Sequence, residues 1–546
     1  MKPVLAFPNT KSLPLQLVCS TKFGRYPKIS NEQTWNMFDS DNFMVTYAGH
    51  KKVLNISDSA KGRAVFSSER GGFLLFIVDE EIYVIDKYLN YNYVAALETT
   101  TGDIDIAEND ANQIGICDAQ YIYIYNYVAG SFSKAPIDAS DFIPASLAFQ
   151  DGYFIAGAKG QAKWRLSALN NGMLWPANAE NIGLLQAPDN VLACIPMPNI
   201  QGQLFIFGST VAHCFNNLPG ASLFPYQRNN SFAIDYGCVS KSTIASGDKF
   251  IIWLGGNAKS GLAIMYSTGG AQQQISTDGI NLRLEQLKNP KNSYGSLIKL
   301  DGHVFYQLTF TDPQDNFTIA YDFNTQKFFN VSDNNQNYHE ARRIAYFNNT
   351  HYFANFNDGN LYEMSSNYFT YNGKEIPRII ITPPVRLPDT TPFIGQSLYI
   401  LIQQGESSGR YYADPLKYKG EISVAADFPT NGTVIKGDMY KILAPVDDND
   451  QTKTNTSQKF GRCDIVWNGT SWDVIQDITS RVDLSLSRDG GVTFGSVVSK
   501  NIQKIGNRKN ILNYFGLGRA NDLTCQFRFY GFEKFVVSNG EVNIYQ

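Results

Sequence analysis

Long apolar runs are missing from this chain. No stretch approaches 18 consecutive apolar residues, so no membrane-spanning helix and no membrane insertion are expected. Helical periodicity is scarce. Its best instance is Asp278–Leu287, where Ile280, Leu282, Leu284 and Leu287 can line one face. Charged residues make up only 18%, with a net charge of −4 and a pI near 5.8. That excludes the basic footprint of a sequence-specific nucleic-acid binder, while a neutral or acidic channel still lets DNA pass on weak contacts. The five His are scattered, with no His-Glu-x-x-His and no His/Cys cluster at ligand spacing. No metal site and no cofactor is therefore expected, and no phosphate-cradling loop or Gly-x-Ser-x-Gly elbow offers a catalytic centre. The seven Cys are odd in number and none shows CxxC spacing. Cys117, Cys194, Cys214 and Cys525 lie in apolar runs and read as small buried hydrophobes of a protein made in a reducing cytoplasm. Met1–Pro8 lacks the pattern of a signal peptide, in keeping with synthesis in the cytoplasm.

Aromatics and turns are abundant: 31 Tyr, 36 Phe and 44 Gly. Tyr and Phe favour strands and Gly supplies turns, so the chain is expected to be all-β. From about residue 60 to 365 one unit recurs: apolar strand, tight turn, apolar strand. Gln203–Phe207 followed by Val211–Phe215 is a typical rung. Turns of this kind fall near 79, 118, 151, 208, 257, 301 and 349. Their spacing scatters about the roughly 40–50 residues of one propeller blade. The reading is a β-propeller of about seven blades, with six as the alternative count, over 61–376.

Residues 1–60 form a lead-in segment, with Phe43–Tyr47 as the candidate strand that closes the ring. The insertion at 168–190, with Asn170-Asn171-Gly172 and Trp175-Pro176, is expected to project from one face. Pro377, Pro383, Pro384, Pro388 and Pro392 mark 377–393 as a stiff connector, because proline breaks ladders. A C-terminal β-sandwich follows over 394–546, on strands 397–403, 482–487, 523–529 and 536–545. A small β module is inserted in it at 418–476, between what read as adjacent strands, with a hairpin turning at Asn468-Gly469.

Ser487-Arg488-Asp489-Gly490-Gly491-Val492-Thr493-Phe494 fits the Asp-box pattern of sialidase propellers. It occurs once, outside the ladder, and reads as a plain hairpin. The acid pairs Asp79-Glu80 and Asp447-Asp448 read as solvated, although paired carboxylates can serve a glycosidase. Lys500, Lys504, Arg508 and Lys509, with Arg519, form the one local basic run, a candidate docking contact for DNA phosphate or an acidic neighbour.

Several pieces in a fixed order complete the picture. They are Trp35-Asn36-Met37, Val45–Gly49, Leu204–Val211, Tyr236–Val239 leading into Ile251–Gly255, Leu484–Gly491, and Phe515–Ala520. In this order the chain resembles the packaged-DNA stabilisation proteins, or tail hubs (tail accessory factors), of short-tailed bacteriophages. The 418–476 module departs from that pattern. The resemblance implies a structural virion protein of the tail without catalysis, in a homo-oligomeric ring, usually a hexamer. It implies portal and adaptor proteins, tail fibres or tailspikes and a tail needle as partners, and packaged double-stranded DNA held in the head. The alternatives are a propeller glycan hydrolase or lyase, marked by carboxylates and arginines converging at the propeller mouth, and a non-catalytic carbohydrate-binding propeller.

Overall fold

The hairpin grammar is realised as contiguous antiparallel sheets in a computed structural model of the chain. The structure describes residues 10–23, 31–137, 140–177, 179–182, 189–218, 224–231, 234–257, 259–404, 418–447, 452–454, 459–460, 464–475, 480–502, 510–531 and 533–545. The chain divides into two units: 20–26 with 55–362, and 1–19, 27–54 with 363–546.

The larger unit is the propeller. Blade 1 is Gly62–Ser68, Phe73–Val78, Glu81–Ile85 and Tyr91–Ala96. Blade 2 runs Asp105–Glu108 to Ser131–Lys134, blade 3 Pro144–Gln150 to Glu180–Ile182, and blade 4 Ala193–Pro196 to Tyr226–Arg228. In blade 5 two short strands, Gly237–Cys238 and Ala245–Ser246, share Ile251–Asn257 as neighbour. Blade 6 spans Ser293–Leu300 to Lys327–Val331, and blade 7 opens with Ala341–Phe347 and Thr350–Asn355. Every expected turn joins two strands of one blade. The turns at 79, 118, 208 and 257 join second to third strands, whereas those at 151, 301 and 349 join first to second. That alternation is why their spacing is uneven. Asp301-Gly302 and Asn348-Asn349 take positive φ at both central residues, the twist that a two-residue hairpin needs.

Successive blades are glued by apolar side chains from facing sheets. Ile155, Trp164 and Leu166 of blade 3 pack with Leu204, Ile206 and Phe215 of blade 4. Phe205 and Phe207 on the other face of blade 4 pack with Ile251 and Trp253 of blade 5. Period-2 alternation thus serves both neighbours, which is why central strands such as Phe73–Val78 are apolar throughout. The ring closes where Gly62 meets blade 7. Its amide donates to the Asp358 carbonyl at 2.9 Å, and a Cβ there would lie 2.9 Å from the Asn355 nitrogen.

The helix forms over Asp278–Glu285 and buries Ile280 and Leu284. The 168–190 insertion folds back rather than projecting. Glu180–Ile182 is the fourth strand of blade 3, and buried Trp175 donates its indole N–H to the Gly172 carbonyl at 2.8 Å.

The smaller unit is a sandwich of two sheets. One runs Thr10–Leu15, Gly540–Tyr545, Phe393–Gln404, Phe535–Val537, Phe43–Thr46, Met37–Ser40, with Asn510–Ala520 on the other edge of Phe393–Gln404. The other runs Gln33–Trp35, Arg378–Ile381, Thr524–Tyr530, Arg481–Ser487, Val498–Asn501. Leu15, Met37, Met44, Ile380, Leu398, Val482, Phe527 and Val542 share its core. Phe43–Thr46 is therefore a sandwich strand and not part of the blade ladder: Met44 is buried in this core opposite Val537. Residues 377–393 contain a central, fully buried strand, Arg378–Ile381, paired on both edges, so the prolines only flank a strand that their number obscured. Buried Arg378 donates to the carbonyls of Gly531 at 2.9 Å and Phe369 at 2.7 Å, and burial pulls it down to about 10.

Within 418–476, Tyr418–Ile422 pairs in parallel with Met439–Ile442, followed by Asp464–Trp467 and Trp472–Ile475. This small sheet has its own core of Ile422, Phe428, Ile442, Ile465 and Trp472. The flanking strands Phe393–Gln404 and Arg481–Ser487 belong to opposite sheets of the sandwich, so the module interrupts a crossover, not a pair of adjacent strands.

Candidate functional site

The first strands of the blades carry charges where they begin: Arg63 in blade 1, Asp105 in blade 2, Arg342 and Arg343 in blade 7. Lys241 and Ser242 add to them from a short 3-10 turn in blade 5, and Asp103 from the approach to blade 2. A propeller directs its first strands at the axis, so these residues converge although they are far apart in sequence.

Their contacts form one network. Lys241 Nζ lies 2.8 Å from Asp105 Oδ2 and donates to the Ala145 carbonyl at 2.6 Å. Ser242 Oγ donates to Asp103 Oδ2 at 2.6 Å, and Arg342 reaches Asp103 Oδ1 at 3.3 Å and the Gly102 carbonyl at 3.0 Å. Arg343 donates to the Ser242 carbonyl at 3.4 Å. Arg63 is buried and holds the loop after blade 1, donating to carbonyls of Asp79 (2.8 Å), Thr99 (2.6 Å), Thr101 (2.6 Å) and Gly102 (3.2 Å).

The electrostatics follow from burial opposed by pairing. Burial, seconded by Arg342, pulls Arg63 down to about 10. Burial also acts to lower Lys241, but Asp105, Cys117 and Asp103 together outweigh it and the ammonium is raised. Burial acts to raise Asp103, but Arg343, Ser242, Arg342 and Lys241 together hold it below its ordinary value. Such a lattice locks the inner ends of blades 1, 2, 3, 5 and 7 to one another.

Beneath the charges lies an axial cavity of about 220 Å³, walled by Phe66, Ile104, Ile106, Leu147, Ile195 and Ile244. Beyond it the axis opens into a second hollow of about 520 Å³, where Glu69, Arg70, Glu108 and Asp110 stand. Arg70 pairs with Asp110, and Ser68 donates to Glu108 at 2.9 Å.

The basic run of the C-terminal region lies elsewhere in the chain. Lys500 is exposed on Val498–Asn501, opposite Val482, in the sandwich unit. Lys504, Arg508 and Lys509 lie outside the described residues. The Arg519 carbonyl accepts from Arg488 Nε at 3.0 Å. The Asp-box stretch closes on itself. Asp489 accepts from the Val492 and Thr493 amides at 3.1 and 3.0 Å, and Gly490 and Gly491 take positive φ, a structural turn. Asp79 accepts from the Lys61 amide at 3.0 Å, which ties its hairpin turn to the residue before the first strand of the blade; Asp447 ends the short strand Val446–Asp447, and Asp448 lies outside the described residues. Among the described residues no group of three or more His, Cys, Asp or Glu is placed to hold a metal ion. No described helix is long and apolar enough to cross a membrane. The six described cysteines are buried thiols, and burial pushes those of Cys117 and Cys194 up to about 12.

The axial cluster was not singled out from the sequence. Its only local signal is a charge at the head of an apolar strand, and a charged strand end is ordinarily solvated.

Solved structures similar to the chain share little sequence with it. A streptogramin B lyase shares 12% identity, covering 60% of this chain and 99% of its own, with a TM-score of 0.41. A virginiamycin B lyase from Staphylococcus aureus shares 10%, covering 58% and 99%, at 0.40. The computationally designed Ika8 protein shares 11%, covering 58% and 99%, at 0.37. No curated protein matches the chain. The family model described as Bacteriophage P22 Gp10, beta-propeller, matches residues 32–368, a span that takes in all seven blades, and the chain belongs to this Phage_stabilise family.

Proposed function

We propose that this protein is a non-catalytic tail hub of a short-tailed phage. In this reading it joins the portal–adaptor complex to tail fibres or tailspikes and the tail needle, and retains packaged DNA in the head. Family membership over 32–368 is the observation that carries the reading, and it makes the chain a phage structural stabilisation protein of propeller type. The axial network supports it: the described charges there are engaged with one another and with backbone carbonyls, as in a scaffold. The protein would form a ring, a hexamer by the family resemblance, and reside in the virion tail. Electron microscopy of the purified protein mixed with portal–adaptor complex tests this. A ring of added subunits beneath the adaptor is expected; portal–adaptor particles left bare at saturating protein would overturn it.

One observation favours a second reading, a glycan hydrolase: Asp103 and Asp105 converge with Lys241, Arg342 and Arg343 at the propeller axis. A glycosidase needs one carboxyl kept protonated beside one that is ionised. Asp103 is held on the ionised side and Asp105 is ion-paired, which weighs against it. Release of reducing sugar from a bacterial surface polysaccharide, abolished in Asp105→Asn, would establish the hydrolase instead.

A further inference from the structure

The sandwich sheet built on Phe393–Gln404 is guarded at two of its edges and open at the third. Thr10–Leu15 carries Lys11 and Pro14, residue types that discourage further pairing, and Met37–Ser40 is only four residues long. Asn510–Ala520 is eleven residues long and pairs with Phe393–Gln404 along one side. No described strand pairs with its other side. Its register against 397–402 is regular over 510–515, and a shift follows. Beyond the shift Arg488 donates to the carbonyls of Leu517 at 2.9 Å and Arg519 at 3.0 Å, which caps that end. The open length is therefore 510–515.

Side chains alternate along it. Leu512 and Tyr514 are buried in the sandwich core, whereas Ile511 and Phe515 face outward, 57% and 72% exposed. Apolar side chains on an unguarded edge suit strand addition, where the backbone supplies affinity and alternate side chains supply specificity. The charge here has one sign. Asn510–Ala520 holds no acid, and Arg488 and Arg519 stand exposed at its far end. Tyr514 donates to the Val482 carbonyl at 2.9 Å, and Val482 is the cross-strand partner of exposed Lys500. Neighbouring carboxylates are engaged elsewhere: Asp483 with Arg481, Asp522 with Arg386, and Glu541 with Ser12. Cations alone along the edge oppose pairing with a second copy of itself and favour an acidic partner.

We propose that 510–515 accepts an acidic extended segment of a partner protein as an added strand. The segment's alternate apolar side chains would lie on Ile511 and Phe515, and its carboxylates would meet Arg488, Arg519 and Lys500. The inference goes beyond the structural role proposed above and does not depend on it, because its test needs no portal or adaptor.

The probe is a fluorescein-labelled, end-blocked peptide of alternating Glu and Val. Its controls are the same peptide N-methylated throughout, which keeps the charge but cannot pair as a strand, and oligothymidylate, which offers phosphate instead of carboxylate. Fluorescence anisotropy with the full chain should show saturable binding of the probe that weakens as salt is raised. The N-methylated peptide should bind about tenfold more weakly or worse, because it lacks the backbone donors. Phe515→Glu, at an exposed position, adds like charge and removes the apolar contact, and should weaken the probe to a similar degree. Should that variant prove insoluble, hydrogen exchange in the unaltered protein reads the site, with amides in 510–515 slowed by the probe. Absence of binding, equal binding of the N-methylated peptide or of oligothymidylate, or unmoved exchange over 510–515 would each overturn the proposal. So would a dimer of the isolated chain that Phe515→Glu abolishes, which would make a second copy the occupant.

Discussion

The propeller and the sandwich are both antiparallel β, yet they are assembled in opposite ways. Each of the first four blades is one continuous stretch of chain, with neighbours in sequence as neighbours in the sheet. In the sandwich Thr10–Leu15 pairs with Gly540–Tyr545, and Arg378–Ile381 lies between Gln33–Trp35 and Thr524–Tyr530. Blades form through short loops whose closure costs little entropy, whereas the sandwich must close loops of hundreds of residues to bring its N-terminal strands onto its C-terminal ones. Stability in the ladder is thus shared among local interfaces. In the sandwich it hangs on segments that are remote in sequence.

The sharpest way to break that contrast is to remove a remote segment. Deleting 1–46 takes Leu15, Leu17, Met37 and Met44 out of the sandwich core and removes four of its strands. Loss of soluble protein is expected, or at the least disappearance of the sandwich transition in calorimetry. A full sandwich transition after the deletion would show that its C-terminal strands suffice.

A single change in the ladder should cost less and stay local. Trp253 is fully buried, packs on Phe207 at 5.2 Å between ring centroids, and donates to the Gly237 carbonyl at 3.1 Å. Trp253→Ala should destabilise by about 3–5 kcal/mol, the scale of a large core cavity. Chemical denaturation checks the magnitude. Hydrogen exchange checks the confinement, with protection falling chiefly in blades 4 and 5.

Acid distinguishes the axial lattice from the apolar interfaces. The folded state holds Asp103 below its ordinary value of 3.8, so it binds fewer protons there than the unfolded chain. The stability this supplies is present above pH 3.8 and is lost as pH falls below it. Asp103→Asn should remove that contribution at neutral pH and make the acid-side decline shallower. An unchanged acid limb would assign the decline to other carboxylates.

The smallest effect is expected from the inserted module, which has its own sheet and core. Replacing 418–476 by a short Gly/Ser bridge should leave the propeller transition within a few degrees of the parent in a calorimetric scan. The bridge must span a crossover between the two sheets, so any larger loss should appear in the sandwich transition alone.

The amino-acid sequence by itself determined the elements that depend on near neighbours. Apolar strand, Asp-Gly or Asn-Asn turn and apolar strand specify a hairpin through backbone conformation and side-chain alternation, and both are local. The all-β class, the seven blade hairpins and the helix at Asp278–Glu285 were legible for that reason. Tertiary structure alone decided which hairpin strand is first in its blade, because the same turn joins either pair. It also decided that Phe43–Thr46 and Arg378–Ile381 belong to the sandwich. The Phe535–Val537 partner of the first and both partners of the second lie more than a hundred residues away, and pairing at that distance leaves no periodicity to read. The axial site is the extreme case. Arg63, Asp103, Asp105, Lys241, Arg342 and Arg343 are unremarked charges along the chain, and they become one network because ring closure brings the heads of the inner strands to a common axis.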